Sequence, residues 1–371
     1  MSKYSTYKLG DVAEIINGKN QKEVVSSQGE YPIYGSGGII GWATDYLCKE
    51  NSTIIGRKGT IDSPIFVNQK FWNVDTAFGI QPSDKILPRY LFFFCKSFDF
   101  RKLDKSTTIP SLAKRDLLQI PIPLPPLPTQ HQIVSRIESL FAELDKAEEH
   151  LRTAQQQLKT YRQAVLNHWL NNEDGKWETV RLGEVADMCL GKMLDKNKNK
   201  GTYQPYLRNV NVRWGSFDLD DLLEMKFEES EQERYGIQIG DLIMCEGGEP
   251  GRCAIWDVDV PNMKIQKALH RIRVKNLVYN KFLYYLFLLY AQNGRLEKYF
   301  TGTTIKHLTG QSLKTVEIPL PPLPEQQRIA KEIETRLSQA EAAEARIAEA
   351  LQKTEALRQS ILKKAFSGEL V

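Results

Sequence analysis

The residues best placed for chemistry lie in two glycine-rich turns that carry charged side chains. Gly56-Arg-Lys-Gly-Thr60 follows the strand-like run Ser52–Ile55, and Glu246-Gly-Gly-Glu-Pro-Gly-Arg252 follows the strand-like run Asp241–Cys245. A glycine-rich turn after a strand can cradle the phosphates of a nucleotide, but the first turn is too short for a GxxxxGK[ST] loop. No Rossmann glycine fingerprint follows a strand either. The turns therefore do not predict a nucleotide site.

Other catalytic patterns are missing as well. The Pro-Pro pairs at 125 and 321 lack the preceding Asn or Asp and the following aromatic residue of an amino-methyltransferase motif. The five histidines form no metal-spaced cluster, and there is no nucleophile elbow. His131 and His307 have the positions of helix-start or turn residues, without a metal partner. The sequence predicts a chain that is not itself an enzyme, with no catalytic residues, no metal and no cofactor of its own.

Composition sets broad limits on the class of protein. The net charge of +4 is compatible with nucleic-acid binding without requiring it. Five cysteines without CxxC spacing argue against a disulfide framework and against a zinc site. No signal peptide opens the sequence, and the apolar runs Tyr90–Cys95 and Phe282–Tyr290 are too short to span a bilayer. We expect a soluble, cytoplasmic protein without a membrane partner.

The elements that must position any site are set by an internal repeat. Ile122-Pro-Leu-Pro-Pro-Leu-Pro128 returns 196 residues later as Ile318-Pro-Leu-Pro-Pro-Leu-Pro324. Leu9-Gly-Asp-Val-Ala-Glu14 returns as Leu182-Gly-Glu-Val-Ala-Asp187, at an offset of 173, so the second copy has gained 23 residues in between. Only the framing segments agree. This pattern predicts two domains of common origin with related but distinct tasks.

Each proline run enters a long helical pattern whose apolar residues recur every three or four positions. That spacing is typical of a coiled-coil seam. The seam residues are Ile133, Ile137, Leu140, Leu144, Ala147, Leu151, Ala154, Leu158, Tyr161 and Val165 in the first helix, and Ile329, Ile333, Ala340, Ala343, Ile347, Ala350, Leu357 and Ile361 in the second. Arg336 and Thr354 interrupt the second seam. Pro128 should fix the start of the first helix, with a capping box at Thr129 and Gln132, and Asn171–Gly175 should end it.

The second domain begins where the first helix ends, and it also feeds the second helix. The return helix therefore most simply runs antiparallel to the first. This predicts a pseudo-twofold dumbbell, with Val371 near Met1. An alternative is that each helix pairs with another chain. Short strands and helices, the latter at Arg89–Phe94 and Lys281–Leu289, make each half an α+β or mostly β domain, and we take α+β as the fold class. The expected division is a first domain at 1–125, a first long helix at 126–175, a second domain at 176–321 and a second long helix at 322–371.

This order resembles the specificity subunit of type I restriction–modification systems, also called HsdS. The resemblance rests on the repeated openings and proline runs, on Tyr161-Arg-Gln-Ala-Val-Leu166 and Leu357-Arg-Gln-Ser-Ile-Leu362, and on the closing Lys-Lys-Ala-Phe-Ser-Gly-Glu-Leu370. It implies two target recognition domains that each read half of a split duplex DNA site, with the helices as spacer. It also implies docking of two methyltransferase subunits and, through them, restriction subunits. S-adenosylmethionine, ATP and Mg²⁺ would then belong to those partners. Because the sequence opens on the first domain, contacts of a longer amino-terminal segment are not expected.

Under this resemblance, DNA would be contacted by basic, amide and hydroxyl side chains on loops. The candidates in the first domain are Lys19, Asn20, Ser36, Arg57, Lys58, Lys105, Thr107 and Thr108. Those in the second domain are Lys192, Lys198, Arg208, Asn209, Asn211, Arg213, Arg252, Thr303, Thr304 and Lys306. Lys198 belongs to the basic stretch Lys196–Lys200, which we expect to be a mobile loop near phosphates. The Thr-Thr pairs are shared structural turns or shared phosphate contacts, and any single candidate could instead be a solvated surface residue.

Two other classes of function stay open at this point. A coiled-coil scaffold whose end domains bind protein or carbohydrate would have the same helices, and salt-dependent binding to duplex DNA would separate the two readings. A stand-alone restriction enzyme or methyltransferase would need the motifs that are missing.

Overall fold

The computed structural model describes residues 3–172, 175–195 and 197–371. It divides into two compact units, one formed by Met1–Thr153 with Ile347–Val371 and the other by Ala154–Arg346. Each unit contains one mixed domain of short strands and helices together with parts of two long helices. We call the two mixed domains the first and the second domain.

The first unit is built on three small sheets. Its strands are β1 (Thr6–Lys8), β2 (Ala13–Asn17), β3 (Tyr31–Gly35), β4 (Gly38–Ala43), β5 (Ser52–Gly56), β6 (Ile65–Val67), β7 (Trp72–Asn73), β8 (Ala77–Pro82) and β9 (Pro121–Pro123). Its helices are α1 (Pro88–Ser97), α2 (Lys114–Leu118) and the start of the long helix α3 (Leu127–Leu170), with 3-10 turns at Leu9–Asp11 and Phe100–Leu103. The sheet orders are β2-β8-β5-β6, β4-β3-β7 and β1-β9.

The second unit repeats this plan with one additional hairpin. Its strands are β10 (Thr179–Arg181), β11 (Ala186–Leu190), β12 (Thr202–Leu207), β13 (Val212–Arg213), β14 (Ser216–Phe217), β15 (Leu223–Phe227), β16 (Leu242–Cys245), β17 (Cys253–Ile255), β18 (Lys264–Ile265), β19 (Leu269–Val274) and β20 (Glu317–Pro319). Its helices are α4 (Leu182–Val185), α5 (Gln232–Tyr235), α6 (Asn280–Gln292), α7 (Gly310–Lys314) and the start of α8 (Leu323–Ser367), with 3-10 turns at Asn209–Asn211, Glu229–Glu231 and Glu297–Tyr299. The sheet orders are β11-β19-β16-β17, β15-β12-β18, β10-β20 and β13-β14.

The internal repeat is therefore a repeat of fold. β3 pairs antiparallel with β4 and parallel with β7, and β12 pairs in the same two senses with β15 and β18. The four-stranded sheets also share one order. The short turn between β3 and β4 is replaced in the second domain by the segment 208–222, which includes the additional hairpin. The α+β fold class is confirmed, and so are the strands and helices expected around both glycine-rich turns.

The ends of the long helices are part of the domain cores. In the first unit the Phe366 ring of α8 packs against Tyr90 and Phe94 of α1, with ring centroids 5.1 and 5.5 Å apart. In the second unit Ile329 and Ile333 of α8 belong to the same buried cluster as α6. A buried side chain of this size stabilises the fold by roughly 1.5–3 kcal/mol. Each end of α8 is thus anchored by burial on a domain.

Within each unit the two long helices pack on each other. In the first unit Arg358 of α8 pairs with Asp145 and Glu148 of α3. In the second, Arg162 Nη2 of α3 lies 2.8 Å from Glu344 Oε2. Further along α3, the Trp169 ring lies 5.1 Å from the Arg336 guanidinium. As the residue numbers rise along α3, those of the α8 residues in contact with it fall. The two helices are therefore antiparallel, as the sequence predicts.

The predicted seam is only partly correct. Ile133, Ile137, Ile329, Ile333 and Ala340 are buried, and Leu140, Leu144, Leu151, Leu158, Ile347 and Ile361 are half-buried. Ala147 and Tyr161 are exposed, and Leu357 is 50% exposed. Their places are taken by Glu148, Arg162 and Arg358, because interhelical ion pairs occupy the contact line there. Thr354, expected to interrupt the seam, is buried in it, and its hydroxyl donates to Ala350 O at 3.0 Å.

The first long helix begins one residue before the predicted start at Pro128, and the predicted capping box is wrong. α3 begins at Leu127, so Pro128 lies within the first turn. Backbone N–H groups there have no partner within the helix, so the N–H that proline lacks costs no hydrogen bond. The Thr129 N–H donates to Pro126 O at 2.9 Å, so Thr129 is not the cap. α3 ends at Leu170, and the expected terminator Asn171–Gly175 includes two positions outside the described residues.

The two ends of the chain meet in the first unit. Met1 lies outside the described residues, but the Lys3 N–H donates to Ser367 O at 3.1 Å. A Cβ on Gly368 would lie 2.6 Å from Lys3 Cβ, which shows how closely the two segments approach. The C-terminal end of α8 therefore packs beside the start of the first domain.

Candidate nucleic-acid interface

In the first domain, three polar segments meet at the end of β5. The glycine-rich turn Gly56–Thr60 lies between the β3–β4 turn, which carries Ser36, and the loop 104–111. The Gly59 N–H donates to Pro110 O at 2.9 Å, and the Leu112 N–H donates to Arg57 O at 2.8 Å. A Cβ on Gly56 would lie 3.1 Å from Ser36 Cβ, so this side chain rests directly on the turn. Five of the eight candidates in this domain lie on this turn and loop, and Ser36 lies beside them.

The basic residues of this turn are positioned differently. Arg57 is half-buried, and its Nη1 lies 3.3 Å from Asp75 O, which fixes the direction of the guanidinium. Lys58 is exposed. Lys105 is also exposed and pairs with Asp116 at 2.9 Å. An exposed ion pair contributes at most about 1 kcal/mol, so Lys105 can exchange Asp116 for a phosphate at little cost.

The loop 104–111 is held by Asp104. Its Oδ1 accepts hydrogen bonds from the Ser106 N–H at 3.0 Å, from the Ser106 hydroxyl at 2.6 Å and from the Ser111 N–H at 3.0 Å. The Ser106 hydroxyl, followed by these backbone donors, lowers the pKa of Asp104. Thr107 and Thr108 stand exposed on this loop with their hydroxyl groups available.

The second domain brings the equivalent three segments together. Asn209, from the segment that replaces the β3–β4 turn, donates from Nδ2 to Gly247 O at 2.6 Å. Arg252 Nη2, from the other end of the glycine-rich turn, donates to Asn209 Oδ1 at 3.1 Å. The Leu308 N–H at the base of the loop 301–307 donates to Glu246 O at 2.7 Å. Thr303, Thr304 and Lys306 are exposed on that loop.

The two sites share a backbone frame and differ in side chains. The backbone of Lys58 forms an antiparallel β-bridge with Ser111 in the first domain, and the backbone of Gly247 forms one with His307 in the second. The Leu112 N–H donates to Arg57 O in the first domain, and the Leu308 N–H donates to Glu246 O at the equivalent place in the second. An Arg-Lys pair in one domain is therefore replaced by Glu-Gly in the other. Equivalent positions that carry different charges and hydrogen-bonding groups suit two readers of different sequences.

Arginines of the second site are paired with carboxylates. Arg208 Nη2 lies 2.7 Å from Asp221 Oδ2, and Arg213 Nη2 lies 3.3 Å from Asp218 Oδ2. Arg252 Nη1 lies 2.8 Å from Glu249 Oε2. Glu249 also accepts the indole N–H of Trp214 at 2.7 Å. These carboxylates orient the guanidinium groups, and the sequence prediction missed them because it selected basic, amide and hydroxyl side chains and no acidic ones.

Two of the predicted DNA contacts are buried structural residues instead. Lys192 is 8% exposed, and its ammonium group donates to Lys226 O at 3.0 Å and pairs with Glu231. Asn211 is 2% exposed, with its amide bonded to Arg208 N–H and Asp218 O at 2.9 Å. Freeing either side chain would break a buried hydrogen-bonded network. We therefore correct both from DNA contacts to residues that shape the site.

Three further candidates lie outside the three segments. Lys19 and Asn20 are exposed after β2, where the Lys19 N–H donates to Asn73 O at 3.0 Å. Lys198 is exposed and lies 3.6 Å from Asp195. Lys196, the first residue of the predicted basic loop, lies outside the described residues.

Metal ligands and reactive thiols are two kinds of site that the sequence does not predict. Among residues 3–172, 175–195 and 197–371, no group of three or more His, Cys, Asp or Glu side chains could hold a metal ion. Burial raises the pKa of Cys48 to about 12, that of Cys95 to about 12 and that of Cys245 to about 11, so these thiols stay protonated. No helix in this part of the chain has the length and apolarity needed to cross a bilayer.

Comparison with known proteins identifies one family. The family described as the type I restriction modification DNA specificity domain matches residues 1–153 and 174–353. A putative type I restriction enzyme specificity subunit of Haemophilus influenzae is 27% identical over 335 residues, covering 86% of this chain and 84% of the relative. The EcoKI specificity subunit of Escherichia coli is 27% identical over 312 residues, covering 78% of this chain and 67% of the relative.

Solved structures share the fold. The HsdS subunit from Thermoanaerobacter tengcongensis has a TM-score of 0.68 at 20% identity, covering 99% of this chain and 97% of that one. A chain from a structure of type I restriction–modification complex assembly and conformational transition has a TM-score of 0.78 at 20% identity, covering 99% of this chain and 98% of that one.

Proposed function

The chain belongs to the type I restriction–modification DNA specificity family, and on that premise we propose how its two domains divide the work. Each recognition domain reads one half of a bipartite, asymmetric DNA site. The two long helices set the number of unread base pairs and dock methyltransferase subunits. The observation that carries this proposal is the three-segment site itself, which has one backbone frame in both domains and different side chains in each.

Within each site, the proposal separates base contacts from phosphate contacts. Hydrogen bonds hold the side chains of Arg57 in the first domain and of Arg208, Asn209 and Arg252 in the second. We assign these groups, together with the exposed Lys58, to base edges. The threonine pairs are the same in both domains and therefore cannot discriminate between different half-sites. We assign those pairs to phosphates.

Matched grooves support the docking of two copies of one partner. A groove of about 400 Å³ in the first unit lies between α1 and the long helices. A groove of about 750 Å³ in the second unit lies between α6 and the long helices. Six lining positions correspond through the repeat, with α3 and α8 exchanging roles: Arg89 with Tyr285, Phe92 with Leu288, Lys96 with Gln292, Phe141 with Leu337, Arg358 with Arg162, and Leu362 with Leu166. Equivalent grooves on both units suit two identical methyltransferase subunits.

The chain itself is non-catalytic, so methylation and cleavage require other subunits. In the proposal, the methyltransferase subunits supply S-adenosylmethionine chemistry. Restriction subunits that attach through them supply ATP- and Mg²⁺-dependent cleavage.

Salt-dependent binding of duplex DNA tests this function. The complex reconstituted with methyltransferase subunits should bind its duplex. The logarithm of its association constant should fall linearly with the logarithm of the salt concentration. Replacing Arg57 and Lys58 by Gln should weaken cognate binding, whereas Lys22→Gln, an exposed lysine outside the three segments, should have little effect. A complex that assembles but shows no salt-dependent DNA binding would favour the scaffold alternative. Methylation by the purified chain alone would contradict its non-catalytic role.

A further inference from the structure

Each of the two loops at the candidate interface exposes an isoleucine at the same position. Ile109 is 62% exposed in the first domain, and Ile305 is 65% exposed in the second. The two residues correspond through the repeat, directly after the Thr107-Thr108 and Thr303-Thr304 pairs. An apolar side chain of this size in solvent forgoes the stabilisation that burial would give it. The two domains nevertheless present it alike, although their reading segments have diverged.

These loops are ordered by hydrogen bonds that differ between the domains. In the first, Asp104 accepts three hydrogen bonds from Ser106 and Ser111. In the second, the Thr301 N–H donates to His307 O at 2.8 Å, and the His307 N–H donates to Thr301 O at 2.9 Å. Two unrelated bonding patterns therefore reach the same result. Each fixes a short loop that presents the isoleucine away from the core.

Tight backbone geometry contributes in the second loop. Gly302 has a φ of +88°, and a Cβ there would lie 2.3 Å from Ile305 O. A side chain at this position is therefore disfavoured by the backbone conformation and by the close approach of that carbonyl group. The bend brings the Ile305 carbonyl group close to Gly302.

Both isoleucines lie on loops that adjoin the glycine-rich turns. The base of each loop is bonded to the glycine-rich turn, through Leu112 to Arg57 in one domain and through Leu308 to Glu246 in the other. Each loop also carries exposed threonines and one exposed lysine, which are groups that contact phosphates and sugars. A side chain in this setting faces the duplex when the turn faces the bases.

We propose that Ile109 and Ile305 are apolar wedges that insert into the DNA, one at each half-site, and deform a base step. This inference rests on the proposed function. An identical apolar group cannot distinguish two different half-sites, but it can enter between base pairs with little dependence on sequence. The deformation would bring more of each recognition domain into contact with the groove and would favour easily deformed steps.

Alanine substitution tests the wedges in the intact complex. Ile109→Ala, Ile305→Ala and the double variant are assembled with methyltransferase subunits and given a duplex that carries the sequence which the wild-type complex methylates. We expect each single variant to bind about tenfold more weakly, from the partial burial of the methyl and methylene groups that alanine lacks. We also expect a smaller DNA bend by energy transfer between end labels. The slope of affinity against salt and the methylated sequence should be unchanged, because no phosphate or base-edge contact is lost.

Matched controls separate a wedge from a general effect of exposed apolar residues. Val25→Ala in the first domain and Ile239→Ala in the second remove exposed aliphatic side chains that lie outside the three segments, and both should bind and bend DNA as the wild type does. Ile109→Leu and Ile305→Leu keep apolar volume and should retain most of the affinity. The thermal melting of all variants should match that of the wild type, since the replaced side chains are exposed.

Three outcomes would overturn the inference. If the wild-type complex binds and bends DNA and the alanine variants do the same, the wedges do not exist, while the proposed function stands. If the alanine variants lose assembly with methyltransferase subunits, these loops dock on the partner protein. If the wild-type complex itself fails to bind duplex DNA, the proposed function fails together with the inference.

Discussion

Gln130 and Gln326 make the same three hydrogen bonds in their respective units. The Oε1 atom of Gln130 accepts the Leu87 N–H at 2.8 Å, and its Nε2 donates to Pro125 O at 2.9 Å and to Lys85 O at 3.1 Å. Leu87 is the residue that precedes α1, and Pro125 lies in the proline run before α3. One buried amide thus joins the start of the domain helix to the start of the long helix.

The second unit repeats this junction. The Oε1 atom of Gln326 accepts the Tyr279 N–H at 2.8 Å, and its Nε2 donates to Pro321 O at 2.8 Å and to Leu277 O at 2.9 Å. Both glutamine side chains are fully buried. Since the recognition domain and the long helix meet here, the junction orients each reader on its helix.

Replacing either glutamine by leucine should destabilise its unit. Gln130→Leu leaves one N–H and two carbonyl groups buried without partners, which costs about 3 kcal/mol. Gln132→Leu, at an exposed position on the same turn of α3, is the matched control and should cost much less. Gln326→Leu and the exposed Gln327→Leu form the equivalent pair. Urea unfolding measures the differences, and equal losses within a pair would show that the junction does not stabilise the fold.

A second prediction concerns Gly18 and Gly191, which keep their place in the repeat. A Cβ on Gly18 would lie 1.8 Å from Val74 O, and one on Gly191 would lie 2.3 Å from Gln266 O. Gly18→Ala and Gly191→Ala should each lower the free energy of unfolding by about 2 kcal/mol or more, because backbone must move to make room. Gly37→Ala meets nothing within 4 Å and serves as the control. If thermal melting of all three variants shifts equally, the close approach is not required.

A third prediction is a pH dependence that comes from His270. Burial lowers the pKa of this imidazole, whose Nε2–H donates to Leu308 O at 2.8 Å. Unfolding frees the imidazole to take up a proton near its ordinary pKa of about 6.5. Stability should therefore be complete above that pH and should fall as the pH drops below it, by up to about 1.4 kcal/mol per pH unit for this group.

Phenylalanine is the informative replacement, because Phe78 has the position in the first domain that His270 has in the second. Phe78 of β8 pairs with Ile55 of β5, and His270 of β19 pairs with Met244 of β16. His270→Phe should flatten the pH dependence of unfolding between pH 7.5 and 5.5, while His131→Gln, at an exposed position, should leave the dependence as it is. If His270→Phe retains the full pH dependence, other groups are responsible for it.

A fourth prediction concerns the DNA spacer. Arg358 pairs with Asp145 and Glu148, so the levels of α3 and α8 that face each other in the first unit are known. Inserting one heptad after Glu148 and another after Thr354 adds about 10 Å of helix at about 1.5 Å per residue. At about 3.4 Å per base pair, the methylated sequence should gain about three unread base pairs between unchanged halves. Active variants with an unchanged spacer would show that helix length does not set it.

The sequence predicts some parts of this molecule and not others, for identifiable reasons. The repeat predicts the paired domains because proline runs and apolar periodicity depend on neighbouring residues. The seam prediction fails at Tyr161 and Leu357 because Arg162 and Arg358 reach carboxylates on the other helix, a contact that apolar periodicity does not encode. Gln130 and Gln326 keep the repeat offset, which could have identified them, but nothing else distinguishes them from neighbouring glutamines that face solvent.

The candidate interface shows the same division. Strand patterns and glycines locate both turns, and the repeated threonines locate both loops. Whether a polar residue points outward depends on packing from distant segments. Lys192 is buried because Phe227 and Glu231 cover it, and both lie more than 30 residues further along the chain.

Exchange of one recognition domain tests the central claim most directly. Residues 1–125 keep β1 together with its partner β9, so this segment can be replaced by the matching segment of a related specificity subunit without splitting a sheet. The methylated sequence is then read genome-wide in a strain that carries the methyltransferase partner. We predict that one half of the bipartite sequence changes while the other half and the spacer stay the same. A change in both halves, or in neither while methylation persists, would contradict the account.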